Sequence, residues 1–291
     1  MRIRRWHKQV LVSVLVSVLA ALATAVALLV GGVASQADPG HPYLALGDSV
    51  SFGYITQAGF EYQNPDNFIG FPYYVGQALG MTPTNAACPG EATAGFSSAT
   101  GADNGCRPYK AHFPLHTSYT GTQLAFATAF LNTHPNTKLV TIQLGANDAF
   151  LLESQCNNQP ACIAAGLPAL LQTISTNMDG IYRAIRSAHF HGRLIVVNYY
   201  SLDYSDAAGT GLTQLLNQAI ASHAHADGAI VADAFTAFEQ AAASAGGKTC
   251  EAGLLNTTPG NQLTCDVHPS QSGQQLLAQT VETAYGGPTG H

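Results

Sequence analysis

Tyr43-Leu44-Ala45-Leu46-Gly47-Asp48-Ser49-Val50-Ser51 begins as an apolar run, stops at a glycine and turns polar at once. A run this short and this apolar suits a strand covered on both faces, and Gly47 marks the turn that follows it. The same grammar returns along the chain. Leu139-Val140-Thr141-Ile142-Gln143-Leu144 ends at Gly145 and leads into Ala146-Asn147-Asp148. Leu194-Ile195-Val196-Val197 and Ala229-Ile230-Val231 are two further strand candidates, and Thr84-Asn85-Ala86 is a more polar one.

Helical patterns lie between these runs. Leu167, Leu170, Leu171, Ile174, Met178, Ile181 and Ile185 recur at spacings of three and four, which predicts a helix with one apolar stripe. Pro168 is expected in its first turn, and Gly192 closes the connection to the next strand. Residues 123–131, 212–220, 235–243 and 271–284 read as further helices. Residues 64–67 and 99–116 read as surface loops. Strand–helix alternation predicts one α/β domain over residues 38–291, built on a parallel sheet.

The chain has 291 residues, of which 46% are hydrophobic and only 10% charged, ample for a buried core. Four of its eleven basic residues, Arg2, Arg4, Arg5 and Lys8, precede every acid, the first of which is Asp38. From Asp38 onward 17 acids face 7 bases, a balance that repels phosphate backbones and excludes nucleic acid as a natural partner. Residues 10–33 carry no charge and lead to the small residues Gly31-Gly32-Val33-Ala34-Ser35. A basic start, an apolar stretch and a small-residue exit make residues 1–37 a secretory signal or, if uncleaved, a membrane anchor through residues 10–33. Either way the remainder is exported.

Six cysteines in an exported chain read as three disulfides. Many pairings are open to six cysteines. Sequence order suggests Cys88 with Cys106, Cys156 with Cys162, and Cys250 with Cys265.

In open parallel sheets, ligands sit beyond the carboxyl ends of the strands. Gly47-Asp48-Ser49, Ala87-Cys88-Pro89-Gly90 and Gly145-Ala146-Asn147-Asp148 all fall there, and Asp266-Val267-His268-Pro269 precedes the last helix. Each alone is an ordinary turn or cap. Together they offer a nucleophile, oxyanion donors and a base. On these blocks and their order, the chain from about Tyr43 to Ala284 resembles the SGNH (GDSL-type) hydrolases. The resemblance implies a three-layer α/β/α, flavodoxin-like fold and hydrolysis of carboxylic esters. Carried over residue by residue, it implies Ser49 as nucleophile, His268 as base, and an oxyanion hole of the Ser49 and Gly90 N–H groups with the Asn147 side chain.

One position departs from the family pattern, which places an aspartate three residues before the histidine. Cys265 stands there, and Asp266 lies two before. The ring orienter is then either Asp266 or a backbone carbonyl, the arrangement attributed to some secreted three-disulfide relatives. The helix after Ser49 is expected to lend its positive end to the site, and Asp48 to pin the turn.

His223, His225 and Asp227 sit at a helix end, and spacings of two do not share a helical face, so no metal site is assigned. No phosphate-binding glycine loop occurs, and no cofactor is implied. The aromatic residues Tyr54 to Tyr74 serve either as core or as an acyl or sugar subsite. The expected function is an exported serine esterase acting on small-molecule, lipid or carbohydrate esters. A carbohydrate acetylesterase or lipase of the same fold is the first alternative, and a non-catalytic surface binding protein the second.

Overall fold

A computed structural model describes residues 40–56 and 60–286. The basic leader and the apolar segment of residues 10–33 lie outside the described residues. No described helix is long and apolar enough to cross a membrane.

Strand β1 (His41–Gly47) leads into a single helical turn, α1 (Ser49–Phe52). Helix α2 (Phe71–Leu79) then feeds β2 (Met81–Asn85). Two short helices, α3 (Thr93–Ser97) and α4 (Cys106–His112), precede α5 (Gln123–Thr133). Strand β3 (Leu139–Gln143), α6 (Ala146–Gln155), the long α7 (Pro160–Ser187) and β4 (Arg193–Val197) follow. The chain continues through α8 (Ala207–Ala221), β5 (Ala229–Ala232) and α9 (Ala234–Ala242). It ends with an antiparallel hairpin of β6 (Leu255–Thr258) and β7 (Asn261–Pro269), and then α10 (Gln271–Gly286).

The five main strands pair in parallel in the order β2-β1-β3-β4-β5. The inner strands β1, β3 and β4 are buried on both faces, as their continuous apolar runs require, with Leu44, Leu46, Val140, Ile142 and Val196 fully inaccessible, while the edge strands β2 and β5 are partly exposed. Helices α2, α9 and α10 pack together on one face, and α5, α7 and α8 on the other. The fold is therefore a three-layer α/β/α structure of flavodoxin-like strand order. Its topological switch point lies between β1 and β3, where the chain leaves β1 to one side and returns on the other.

Two local readings need correction. Pro168 is not in the first turn of its helix: α7 starts at Pro160, and Pro168 lies inside it. Pro160 supplies the preset φ of a helix start, and Cys162, two residues on, is bonded to Cys156 at the end of α6. Pro168 and Ala164, whose carbonyl it cannot pair, are both exposed, so solvent is free to meet that carbonyl. Residues 99–116 are not wholly a loop either, because α4 occupies Cys106–His112. Its start is fixed to β2's exit by the Cys88–Cys106 bond.

Candidate active site

The turn after β1 is built so that only glycine fits at its corner. Gly47 has φ +134°, and a Cβ there would meet the Gln143 carbonyl oxygen at 2.2 Å. Gln123, at the start of α5, clamps the same residue from both sides. Its Oε1 accepts from Gly47 N–H at 2.6 Å and its Nε2 donates to Gly47 O at 3.0 Å. Asp48 caps α1, its Oδ1 accepting from Val50 N–H at 2.9 Å. Its Oδ2 accepts from the Tyr199 hydroxyl. Burial pushes the Asp48 carboxyl up to about 6, against the opposing pull of the Tyr199 and Val50 hydrogen bonds. Asp48 thus pins the turn as expected. The expected help from a positive helix end is small: α1 ends after four residues at Gly53, too short for a substantial dipole.

This turn presents Ser49 to the hairpin. Ser49 Oγ lies 3.0 Å from His268 Nε2 on β7. His268 Nδ1 is 3.2 Å from Asp266 Oδ1, and the His268 backbone N–H donates to the same oxygen at 2.6 Å. The second oxygen of Asp266 accepts from the Thr56 hydroxyl. Burial alone raises the Asp266 pKa, but the hydrogen bonds from His268 and Thr56 outweigh it and hold the carboxyl below its ordinary range. The Tyr54 ring packs 4.9 Å from the imidazole, centroid to centroid.

Opposite the hairpin lie the candidate oxyanion donors. Neither the Ser49 N–H nor the Gly90 N–H has an acceptor among the described residues. Gly90 has φ +82°, and a Cβ on it would meet the Asn104 carbonyl oxygen at 2.6 Å. The Asn147 amide nitrogen donates to the Glu91 carbonyl at 3.0 Å and only marginally to Asp48 Oδ2 at 3.5 Å. Its Oδ1 accepts from Asn104 Nδ2 at 3.0 Å, which fixes which end of the amide donates. Asn104 also donates its backbone N–H to Gly90 O at 2.8 Å, so one residue braces both donors.

Sequence reasoning had not singled out Asn104, Thr56, Gln123 or Tyr199. Asn104 lies within the 18-residue separation closed by Cys88–Cys106, the one signal that could have pointed to it. All three disulfides join the pairs that sequence order suggests, Cys88–Cys106, Cys156–Cys162 and Cys250–Cys265. The aromatic residues after Ser49 divide. Phe68 and Phe71 are core, Tyr54 flanks the histidine, and Phe60 is 86% exposed. Asp233 caps α9 and accepts from Asn198 Nδ2.

Several solved structures share this architecture. Phospholipase A1 from Streptomyces albidoflavus NA297 superposes with a TM-score of 0.55 at 18% identity, over 84% of this chain and 99% of that one. The lipase Lip_vut3 from a goat rumen metagenome gives 0.51 at 16% identity, over 84% and 97%. A variant of Axe2, an acetyl xylan esterase from Geobacillus stearothermophilus, gives 0.51 at 15% identity, over 85% and 95%. At these identities the likeness establishes the fold. No curated protein sequence matches the chain. The family model of the GDSL-like Lipase/Acylhydrolase family matches residues 45–276, from inside β1 to inside α10, with the serine and histidine that meet at 3.0 Å both within the match. The chain accordingly belongs to the GDSL-like lipase/acylhydrolase family and is, by that membership, a carboxylic ester hydrolase.

Proposed function

We propose that this protein is an exported serine esterase that works through an acyl-enzyme on Ser49. The observation that carries the reading is the unbroken line Ser49 Oγ, His268 Nε2, His268 Nδ1, Asp266 Oδ1, with contacts of 3.0 and 3.2 Å. His268 takes the Ser49 proton as Oγ attacks the ester carbonyl carbon. The carbonyl oxygen gains negative charge and is received by the Ser49 and Gly90 N–H groups and the Asn147 amide. The tetrahedral centre collapses, the carbon–oxygen bond to the alcohol breaks, and His268 returns the proton to the leaving oxygen. Water then repeats the sequence on the acyl-enzyme: His268 deprotonates it, the acid departs, and Ser49 regains its proton. Asp266 keeps Nδ1 protonated, so that Nε2 faces Ser49 as an acceptor, and stabilises the imidazolium.

Export is supported by the basic leader, the uncharged segment after it and three disulfides, a combination suited to an oxidising compartment. Its substrates are esters, as in the phospholipase, lipase and acetyl xylan esterase that share the fold. The test is direct. A fluorophosphonate probe is expected to label Ser49 in the folded protein. Ser49→Ala is expected to abolish labelling and to lower p-nitrophenyl ester turnover by roughly a thousandfold or more, with the melting temperature nearly unchanged. Unchanged turnover in that variant removes Ser49 from the mechanism.

A further inference from the structure

A cavity of about 250 Å³ opens at Ser49 and His268 and runs between α6, α7 and α8. Its far walls are aliphatic and aromatic: Phe150 from α6, Leu167, Leu170 and Leu171 from α7, Leu212 and Leu216 from α8. The hydroxyls that border it are already engaged by the protein. The Tyr199 hydroxyl donates to Asp48, the Tyr200 hydroxyl to Val267 O at 2.7 Å, and the Thr213 hydroxyl to Gly209 O at 3.1 Å. Away from the catalytic end the Glu153 carboxylate is the ionisable group that lines the cavity, so a sugar ring entering here would give up water and find few donors or acceptors in exchange, a costly transfer for each buried hydroxyl. A hydrocarbon chain meets the opposite situation, since each methylene leaves water for an apolar wall. Leu202 and Leu212, 47% and 45% exposed, also line the cavity, so its apolar wall continues out to solvent.

We infer that this cavity receives the acyl half of the substrate, and that the enzyme is selective for straight acyl chains of medium length over acetyl. The inference rests on the Ser49 mechanism proposed above. Attack at Ser49 fixes the carbonyl carbon at the cavity's mouth, so a chain attached to that carbon extends toward Leu170 and Leu216. An acetyl group places only one methyl there, about the size of a water, and leaves most of the volume unfilled. Filling it with successive methylenes strengthens transition-state binding by up to roughly fourfold per methylene.

A p-nitrophenyl ester series from acetate to decanoate, each below its solubility limit, reads this out with the full-length protein. Values of kcat/KM are expected to climb roughly two- to fourfold per methylene and to level off once the cavity is full. Leu170→Trp, which fills the cavity, is expected to lower the octanoate-to-acetate ratio of kcat/KM by about tenfold or more. Leu216→Ala, which enlarges it without adding bulk, is expected to move the plateau to longer chains, and serves if the tryptophan variant does not fold. A flat or acetate-favouring series, or a ratio unmoved in a folded Leu170→Trp, overturns the assignment while leaving Ser49 as nucleophile. Absence of turnover on every ester together with absence of fluorophosphonate labelling overturns the Ser49 mechanism itself, and this inference with it.

Discussion

One carboxylate oxygen of Asp266 accepts both the backbone N–H of His268, at 2.6 Å, and its imidazole Nδ1, at 3.2 Å. The two residues lie two apart on an extended strand, and in a strand positions i and i+2 share a face. The position between an aspartate three residues away and this one is therefore decided by conformation. At Cys265 the side chain belongs to the opposite face and is bonded to Cys250. Asp266→Asn keeps the shape but offers an amide that can donate to Nδ1 and favour the wrong ring tautomer. A fall in kcat of about a hundredfold or more is expected, by steady-state kinetics on a p-nitrophenyl ester. A loss of only a few-fold would assign the orienting role to another acceptor.

Asn104 braces both candidate oxyanion donors from outside the site. Its side chain holds the Asn147 oxygen and its backbone holds Gly90. Asn104→Ala removes only the first of these. It is expected to lower kcat about tenfold with little change in KM, whereas Asn147→Ala lowers kcat roughly a hundred- to a thousandfold. Equal kcat for Asn104→Ala and wild type would show that Asn147 needs no such support.

Glu91 gives stability a pH dependence. Burial is the main force pushing its carboxyl up to about 8, with the nearby Asp103 adding to the shift and Lys110, Gln123 and Arg107 opposing it. Because the folded state holds this proton more tightly than the unfolded chain, the resulting stability is fully present below the unfolded value near 4.5 and is lost as pH rises through about 8. Asp48, raised to about 6, acts with the same sign at lower pH. Urea melts from pH 7 to pH 9 thus isolate Glu91. Wild-type stability is expected to fall across that range, and Glu91→Gln to flatten the fall, gaining on wild type by order 1 kcal/mol or more at pH 9. Parallel pH profiles for the two proteins would remove Glu91 as the cause.

Replacing both Cys250 and Cys265 with serine opens a loop of sequence separation 15 and is expected to cost ~3 kcal/mol. It is also expected to lower kcat at temperatures where the variant is fully folded, because Cys265 adjoins Asp266. The equivalent Cys156/Cys162 pair, with a separation of 6, is expected to cost about 2 kcal/mol. Denaturant melts paired with kinetics at 15 °C separate the two effects. Full activity in a folded Cys250/Cys265 variant would show that β7 holds its register without the bond.

The sheet was legible because its strands are covered on both faces: uninterrupted runs such as Leu194-Ile195-Val196-Val197 have no other comfortable place in a fold of this size. Ser49, Gly90, Asn147 and His268 stand out because each lies in a cluster that follows a strand or precedes a helix, while the roles proposed for them are what the family resemblance implies. The hairpin was not read, although Thr257-Thr258-Pro259-Gly260 carries a turn signal between β-branched and polar residues. Its strands, of four and nine residues, are largely polar, so periodicity gives little. Thr56, Asn104, Gln123 and Tyr199 are invisible for another reason. Each acts through a contact with a residue at least 43 positions distant, such as Thr56 with Asp266, and no local pattern encodes such a pairing.

The histidine does not ride on the five-stranded sheet that carries the serine; it sits on a two-stranded ribbon paired only with itself and stapled at Cys265. The serine's placement is thus inherited from the central layers, while the histidine's depends on Leu255 in that same core, the Tyr200 hydroxyl on Val267 O and the Cys250–Cys265 bond, so three separate anchors set the alignment of the two.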